Sequence, residues 1–337
     1  MIRPVSNPPN PWQSHHVDWL GEPPPAKLEV FEEHAKTIVS ENESPDVGFR
    51  WSVNPYRGCF HACAYCYARP YHQYLDMGAG TDFERKIVVK VNAPELLRAH
   101  LMKKSWKGDP IAFCGITDCY QPLEASYEVT KGCLKVCNEF NNPLGVITKG
   151  ILIRRDVDLL AALARKNLVS VFFSIPITDP KISRLVEPNV ASPQQRFETM
   201  KVLSDAGVPV GISMAPLVPG LNESDMPELL ERAKEAGAQY AFFTLVRLAR
   251  EVRPVFEERI LEAFPDRAKK IFSGIRAMKD GKMNISEFGE RMHGTGVRWE
   301  AVEQLFQAHC RRLGFNQPKP ERPRAKFQRP GDQGELF

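Results

Sequence analysis

Phe49-Arg50-Trp51-Ser52-Val53-Asn54-Pro55-Tyr56-Arg57-Gly58-Cys59-Phe60-His61-Ala62-Cys63-Ala64-Tyr65-Cys66-Tyr67-Ala68-Arg69-Pro70 opens on a short apolar run and empties into a loop with three thiols at C-x3-C-x2-C spacing. The run from Phe49 to Val53, closed by Asn-Pro, reads as a strand. Three soft ligands this close together are dense enough to form a site. A four-iron, four-sulfur cube has four iron corners, so three thiolates would leave one iron open to another molecule. A structural zinc would want a fourth ligand, for which His61 or His72 stands near in sequence. Plain packing of buried thiols is the third reading.

The rhythm of strand, polar loop and helix repeats along the chain. Further strand candidates are Ile111 to Ile116, Leu144 to Thr148, Leu168 to Ile175, Val208 to Ala215 and Gln239 to Val246. Helical patterns lie between them at Pro94 to Lys104, Tyr127 to Phe140, Asp156 to Arg165, Pro193 to Ala206 and Met226 to Ala236. Ala206-Gly207 and Ala236-Gly237 look like helix ends, where glycine takes the left-handed position after the last turn. Near-continuous apolar strands alternating with helices predict an α/β protein with a parallel sheet. The chemically interesting residues fall just after strands: the cysteine loop, Thr117-Asp118, Lys149, Pro176 to Asp179, Pro216 to Gly220 and Arg247. A site collected from many strand ends is what a (β/α) barrel offers, whereas an open sheet concentrates its ligand at one switch point. The sequence therefore predicts a barrel-like arrangement of six units, with a helical segment from Val255 to Leu313.

Composition sets the outer bounds. The chain has 337 residues, 43% hydrophobic and 26% charged, which argues against disorder, collagen and disulfide scaffolds. No run approaches a membrane span and the first residues carry no signal-peptide pattern, so a cytoplasmic protein is expected. Eight cysteines then read as thiols, ligands or catalytic groups more readily than as disulfides. Residues 1–48 form a proline-rich arm, expected to be ordered from about Lys36. Residues 49–253 hold the barrel, 254–313 the helical extension and 314–337 a basic, flexible tail. Between Arg311 and Arg329 seven basic residues face one acid, Glu321, a charge that could follow a phosphate backbone or simply be solvated.

With Tyr65 before its last cysteine, C-x3-C-x-aromatic-C resembles the cluster motif of the radical S-adenosylmethionine superfamily. The resemblance runs over about Ser44 to Arg253. It points to the spore photoproduct lyase-like branch, often labelled DNA repair photolyases, through Phe113-Cys114-Gly115-Ile116-Thr117-Asp118, Ile147-Thr148-Lys149, Phe173-Ser174-Ile175, Glu187-Pro188 with Arg196, and Ala215-Pro216. Ser44-Pro45-Asp46 and Asn54-Pro55-Tyr56-Arg57-Gly58 resemble a bacterial subgroup of that branch. The resemblance implies a partial (β/α)6 barrel and an enzyme with a 4Fe–4S cluster on Cys59, Cys63 and Cys66. It also implies reductive cleavage of S-adenosylmethionine to a 5′-deoxyadenosyl radical, with flavodoxin or ferredoxin as electron donor and damaged nucleic acid, a peptide or a metabolite as substrate.

Tyr65 is implied at the adenine end of S-adenosylmethionine, and Lys149 and Ser174 match cofactor-contacting positions. A lysine offers a point charge to a carboxylate and a serine hydroxyl can bond a polar group. Met214, Ala215 and Pro216 could give the adenine an apolar wall, and Thr117 and Asp118 complete the expected set. In the lyase a cysteine near Cys114 donates the hydrogen atom that quenches the product radical. Here one more residue separates it from Thr117-Asp118. Strand alternation then predicts Cys114 pointing out of the barrel and favours Cys119 as the donor. Cys133 and Cys137 share a helix face and are expected to pack. The rival readings are a non-catalytic zinc or iron-sulfur protein that binds nucleic acid, and a radical enzyme with an auxiliary cluster drawn from Cys114, Cys119, Cys133 or Cys310.

Overall fold

The structure, a computed structural model, describes residues 27–318 and 323–331. Trp12, Trp19 and most of the proline-rich arm lie outside the described residues, as do Lys319, Glu321 and Arg322. Its strands are β1 (Glu29–Glu33), β2 (Val39–Glu41), β3 (Trp51–Val53), β4 (Tyr56–Arg57), β5 (Lys86–Lys90), β6 (Ile111–Phe113), β7 (Leu144–Thr148), β8 (Val169–Ser174), β9 (Val210–Leu217) and β10 (Tyr240–Leu245). Its helices are α1 (Thr81–Arg85), α2 (Ala93–Leu101), α3 (Glu124–Tyr127), α4 (Val129–Glu139), α5 (Val157–Arg165), α6 (Pro180–Val186), α7 (Pro193–Asp205), α8 (Met226–Glu235), α9 (Val252–Ala263), α10 (Pro265–Ala277) and α11 (Gly296–Leu313).

The main sheet runs in the order β10-β9-β8-β7-β6-β3-β2. From β3 to β10 all neighbours are parallel, and β2 closes one edge antiparallel. The six strands expected from sequence are these six parallel ones, and each lies beside the next in the chain. An order that never reverses has no switch point. It is the wall of a barrel left open between β10 and β2, so the partial (β/α)6 architecture holds.

Register fixes which residues face which side. Ser52, Ala112, Gly145, Ser170, Gly211 and Ser213 share one face with Ile147, Phe172 and Ser174. The opposite face carries Val53, Phe113, Val146, Val171, Phe173, Val210 and Ile212, all buried in the main core beneath the helices. The outer face is uniformly apolar, whereas the inner face mixes serine and glycine with Ile147 and Phe172, so the small residues leave open space between the larger ones.

Local chemistry sets the helix ends. Asp179 caps α6 by accepting from the Lys181 and Ile182 amides, and Ser192 forms a capping box with Gln195 at the start of α7. Each helix has proline in its first turn, where no amide donor is lost. Gly207 and Gly237 follow α7 and α8 at φ +82° and +88°, as expected.

Order begins earlier than Lys36, because β1 joins a second, small sheet in the order β1-β5-β4. The sequence reading missed this sheet: β4 is two residues long and lies inside the cysteine-loop approach. The helical extension is real but interrupted, with residues 278–295 non-helical between α10 and α11. The described part of the basic tail, residues 323–331, contacts the barrel. Phe327 stacks on Phe140 with centroids 6.2 Å apart, the Gln328 amide donates to the Phe140 carbonyl, and Arg329 donates to the Lys103 and Trp106 carbonyls. Among the described residues no helix is long and apolar enough to cross a membrane.

Candidate cluster and cofactor site

The loop after β3 is held in shape by groups from far along the chain. Gly58 sits at φ +76°, where a Cβ would lie 2.9 Å from the Lys86 carbonyl and 3.0 Å from that of Phe83. The Cys59 amide donates to the Phe83 carbonyl at 2.8 Å and the Ala64 amide to the Val186 carbonyl at 2.9 Å. Behind the loop, Arg69 donates to the Cys63 carbonyl at 2.7 Å and Arg259 to the Ala62 carbonyl at 3.0 Å. Both guanidiniums close on one buried carboxylate, Glu84. Arg259 comes from α9, so the C-terminal extension reaches back and braces the cysteine loop. Gly58→Ala is expected to destabilise the protein by roughly 1–3 kcal/mol, from backbone strain and two carbonyl contacts together. Denaturant unfolding beside the parent would measure it.

Cys59 and Cys63 are buried and Cys66 half-buried. Burial pushes the Cys63 thiol up to about 12 although Lys149 pulls against it, and burial likewise raises Cys59 and Cys66. The Asp118 amide bonds the Cys59 sulfur and the Ala68 amide that of Cys66. Amides aimed at thiolate sulfurs are how proteins hold and tune iron-sulfur clusters. A single zinc would draw three sulfurs to about 3.8 Å of one another. Among the described residues the set gathered within 4.8 Å is Cys114, Asp118 and Cys119, not the loop cysteines. Of the candidate fourth zinc ligands, His61 faces Asp118 at 3.4 Å, while His72 lies edge-on to Phe83 at 5.7 Å with both ring nitrogens buried and unpartnered. The donor set thus fits a cube, in which each thiolate has its own iron.

A second set of residues meets this loop from the ends of β7, β8 and β9. Tyr65 donates its hydroxyl to Glu187, and Arg196 pairs with the other Glu187 oxygen at 2.6 Å. Lys149 donates to the Ser174 hydroxyl and stands 3.8 Å from Glu187, and Ser174 donates to the Ala215 carbonyl at 3.2 Å. Arg196 also donates to the Ser174 carbonyl at 2.8 Å. Burial raises the Glu187 carboxyl, but Arg196 and Lys149 outweigh it and hold the group ionised, below the usual range. Tyr65, Lys149, Ser174 and Ala215 are therefore one connected network. Glu187 and Arg196 tie it together, a role that the sequence pattern Glu187-Pro188 with Arg196 does not reveal. Arg247 stands over the Tyr67 ring at 5.9 Å. Met214 is buried and Pro216 follows a cis Ala215-Pro216 bond, with the Asn222 amide group bridging the Pro176 and Pro216 carbonyls.

Thr117 and Asp118 lie beside the cluster loop. The Asp118 carboxylate accepts from the Thr148 hydroxyl and from the Tyr120 and Lys149 amides, besides facing His61. Burial works against its charge, yet these partners hold it at about 2. Thr117 donates to the Tyr56 carbonyl at 3.3 Å. The alternation argument for Cys114 fails, because β6 ends at Phe113 and Cys114 has φ +75°. Its sulfur is joined to that of Cys119 in a disulfide. The two candidate donors thus act as one unit, one residue from the amide that bonds the Cys59 sulfur. Cys133 and Cys137 pack in the core beneath α4, and His293 is exposed.

This geometry defines an open six-stranded α/β barrel with a three-thiol loop at the carboxyl ends of its strands. Residues 53–233 match the Radical SAM superfamily, and the chain belongs to it. An uncharacterized protein of Mycobacterium tuberculosis is 40% identical over 192 residues, 56% of each chain. One from Methanocaldococcus jannaschii is 27% identical over 240 residues, 71% of this chain and 86% of the relative. The chain spans about half the length of the first of these. Among solved structures, spore photoproduct lyase complexed with dinucleoside spore photoproduct superimposes with a TM-score of 0.61 at 16% identity. The match covers 85% of this chain and 80% of the lyase. A lyase mutant with bound AdoMet and the same dinucleoside also gives 0.61, over 86% and 80%. By family, then, the barrel and its three-thiol loop are those of the radical SAM class.

Proposed function

We propose that this protein reductively cleaves S-adenosylmethionine at a 4Fe–4S cluster on Cys59, Cys63 and Cys66 and abstracts hydrogen from a nucleic-acid substrate, with damaged DNA the first candidate. The observation that carries this is the meeting of three thiols, two of them buried and one half-buried, with the Tyr65–Glu187–Lys149–Ser174 network at one end of an open barrel. The bound cofactors supply the electron and the 5′-deoxyadenosyl radical. Lys149 offers its charge to the methionine carboxylate, and Ser174 a hydroxyl to a polar group. Met214, Ala215 and Pro216 wall the adenine. Glu187 and Arg196 hold Tyr65 and Lys149 in place. The serines and glycines of the lumen leave room for a substrate group. Once an external dithiol has reduced the Cys114–Cys119 disulfide to two thiols and been oxidised in its place, the S–H of Cys119 or Cys114 breaks to return a hydrogen atom to the product radical, leaving a thiyl radical on the sulfur. A flavodoxin or ferredoxin serves as the electron donor. The lyase of similar fold is described with a dinucleoside lesion bound, which supports a nucleic-acid substrate.

The test is anaerobic reconstitution with iron and sulfide, then dithionite, S-adenosylmethionine and an oligonucleotide carrying ultraviolet lesions. Formation of 5′-deoxyadenosine with loss of lesion by mass spectrometry supports the reading. Nucleoside formed without any change in the oligonucleotide sinks the damaged-DNA part. Lys149→Met is expected to weaken S-adenosylmethionine binding about 10- to 100-fold, the loss of one charge-assisted contact in a partly buried site. Equilibrium dialysis on the reconstituted protein reads it, with iron content unchanged. Equal affinity in parent and variant would remove Lys149 from the cofactor site.

A further inference from the structure

The segment after the last cluster cysteine, Tyr67-Ala68-Arg69-Pro70-Tyr71-His72-Gln73-Tyr74, enters the 3₁₀ turn Arg69–Leu75. Its inner side buries Arg69, His72 and Gln73. Its outer side carries Tyr67, Tyr71 and Tyr74, spaced four and three residues apart and 49%, 48% and 62% exposed. The Tyr71 and Tyr74 rings have centroids 6.3 Å apart and are tilted by 55°. Tyr67 is tied down, its hydroxyl donating to the Gly115 carbonyl, whereas the neighbouring Tyr71 and Tyr74 rings are left open to water, a surface awaiting cover.

A guanidinium stands at each end of the row. Arg57 lines a cavity of about 120 Å³ with Gly58, Tyr71, His72, Tyr74 and Thr117. Arg247, beyond the end of β10, lies over Tyr67. The Nε of each is buried with no hydrogen-bond partner. A cavity this small takes one group of a larger ligand, since whole ligands fill roughly 300 Å³ or more. A guanidinium with an unpartnered Nε favours a phosphate or carboxylate for that group. Cations interleaved with exposed aromatic faces are the chemistry that holds single-stranded nucleic acid, whose base faces are free to stack; a duplex hides them.

We propose that Tyr67, Tyr71 and Tyr74 with Arg57 and Arg247 form a docking track for an unpaired nucleic-acid strand. A phosphate enters the Arg57 cavity and bases stack on Tyr71 and Tyr74, leading the strand past the cluster loop toward the barrel mouth. The proposal rests on the nucleic-acid reading of the site and specifies the form in which that substrate arrives.

The test is fluorescence anisotropy of a labelled single-stranded DNA, about a dozen nucleotides long to match the site size of such grooves. It is titrated with reconstituted holoenzyme under anaerobic conditions, beside the same sequence as duplex. The single strand should bind more tightly than the duplex. Tyr74→Ser should weaken it about tenfold, and Arg57→Gln should lower the salt slope by about 0.7, one phosphate contact on a single strand. Both residues sit at the surface or in a small cavity, and far-ultraviolet dichroism with iron content checks that each variant is folded and loaded. The track is overturned if the parent binds no single strand, prefers duplex or a phosphopeptide, or binds equally well with both substitutions. Formation of 5′-deoxyadenosine by the parent without any oligonucleotide is scored separately, so loss of the track and loss of the radical reading give different results.

Discussion

Replacing Cys63 with alanine is expected to remove 5′-deoxyadenosine formation by at least about a thousandfold, because the cluster carries the chemistry and the chain only orients it. The loop itself should survive. Its hold on this residue is through the Cys63 carbonyl and Arg69, which the substitution leaves in place. Iron per chain should therefore fall while the unfolding midpoint of the metal-free protein stays close to the parent's. Cys137→Ala is the matched control. That thiol is equally buried but packs in the helix core, so it should cost about 1 kcal/mol of stability and leave iron and activity intact. Equal iron in the Cys63 variant and the parent would mean that the loop does not hold the cluster.

The contrast between these two cysteines shows what the sequence could convey. Local spacing was informative: C-x3-C-x2-C singled out Cys59, Cys63 and Cys66, and apolar runs with helical gaps placed all six parallel strands. Side-chain direction at Cys114 was not legible, because alternation assumes a strand and the backbone leaves it at Phe113. The disulfide with Cys119 likewise depends on a turn of positive φ at Cys114. Glu187 and Arg196 were visible as residues but not as partners. Their pairing joins the end of α6 to α7, a contact with no periodic signature. The tyrosine row was readable in principle from the spacing of Tyr67, Tyr71 and Tyr74, but exposure decides its meaning and only the fold supplies that. The bracing of the cluster loop by α9 lay furthest out of reach, since Arg259 lies 175 residues from Glu84.

That brace yields the second large effect, expected from Glu84→Ala. Glu84 is 1% exposed and accepts from Arg69 and, at 2.7 and 2.8 Å, from Arg259. Two guanidiniums against one carboxylate leave a net +1 behind the loop, a sign that suits three thiolates in front of it. Removing the carboxylate strands both charges in the interior, which costs about 3–5 kcal/mol and is expected to lower the melting temperature by roughly 5–10 °C. The same loss frees Arg69 and Arg259 from the orientation in which they hold the Cys63 and Ala62 carbonyls, so iron incorporation should fall with stability. Arg259→Met separates the two consequences. It leaves Glu84 paired with Arg69, so stability should drop less, yet the Ala62 carbonyl loses its donor and cluster uptake should still decline. A stable Arg259→Met protein with parental iron would show that the C-terminal extension supports the fold without shaping the site; reduced iron in a folded variant makes α9 part of the cluster's own scaffold.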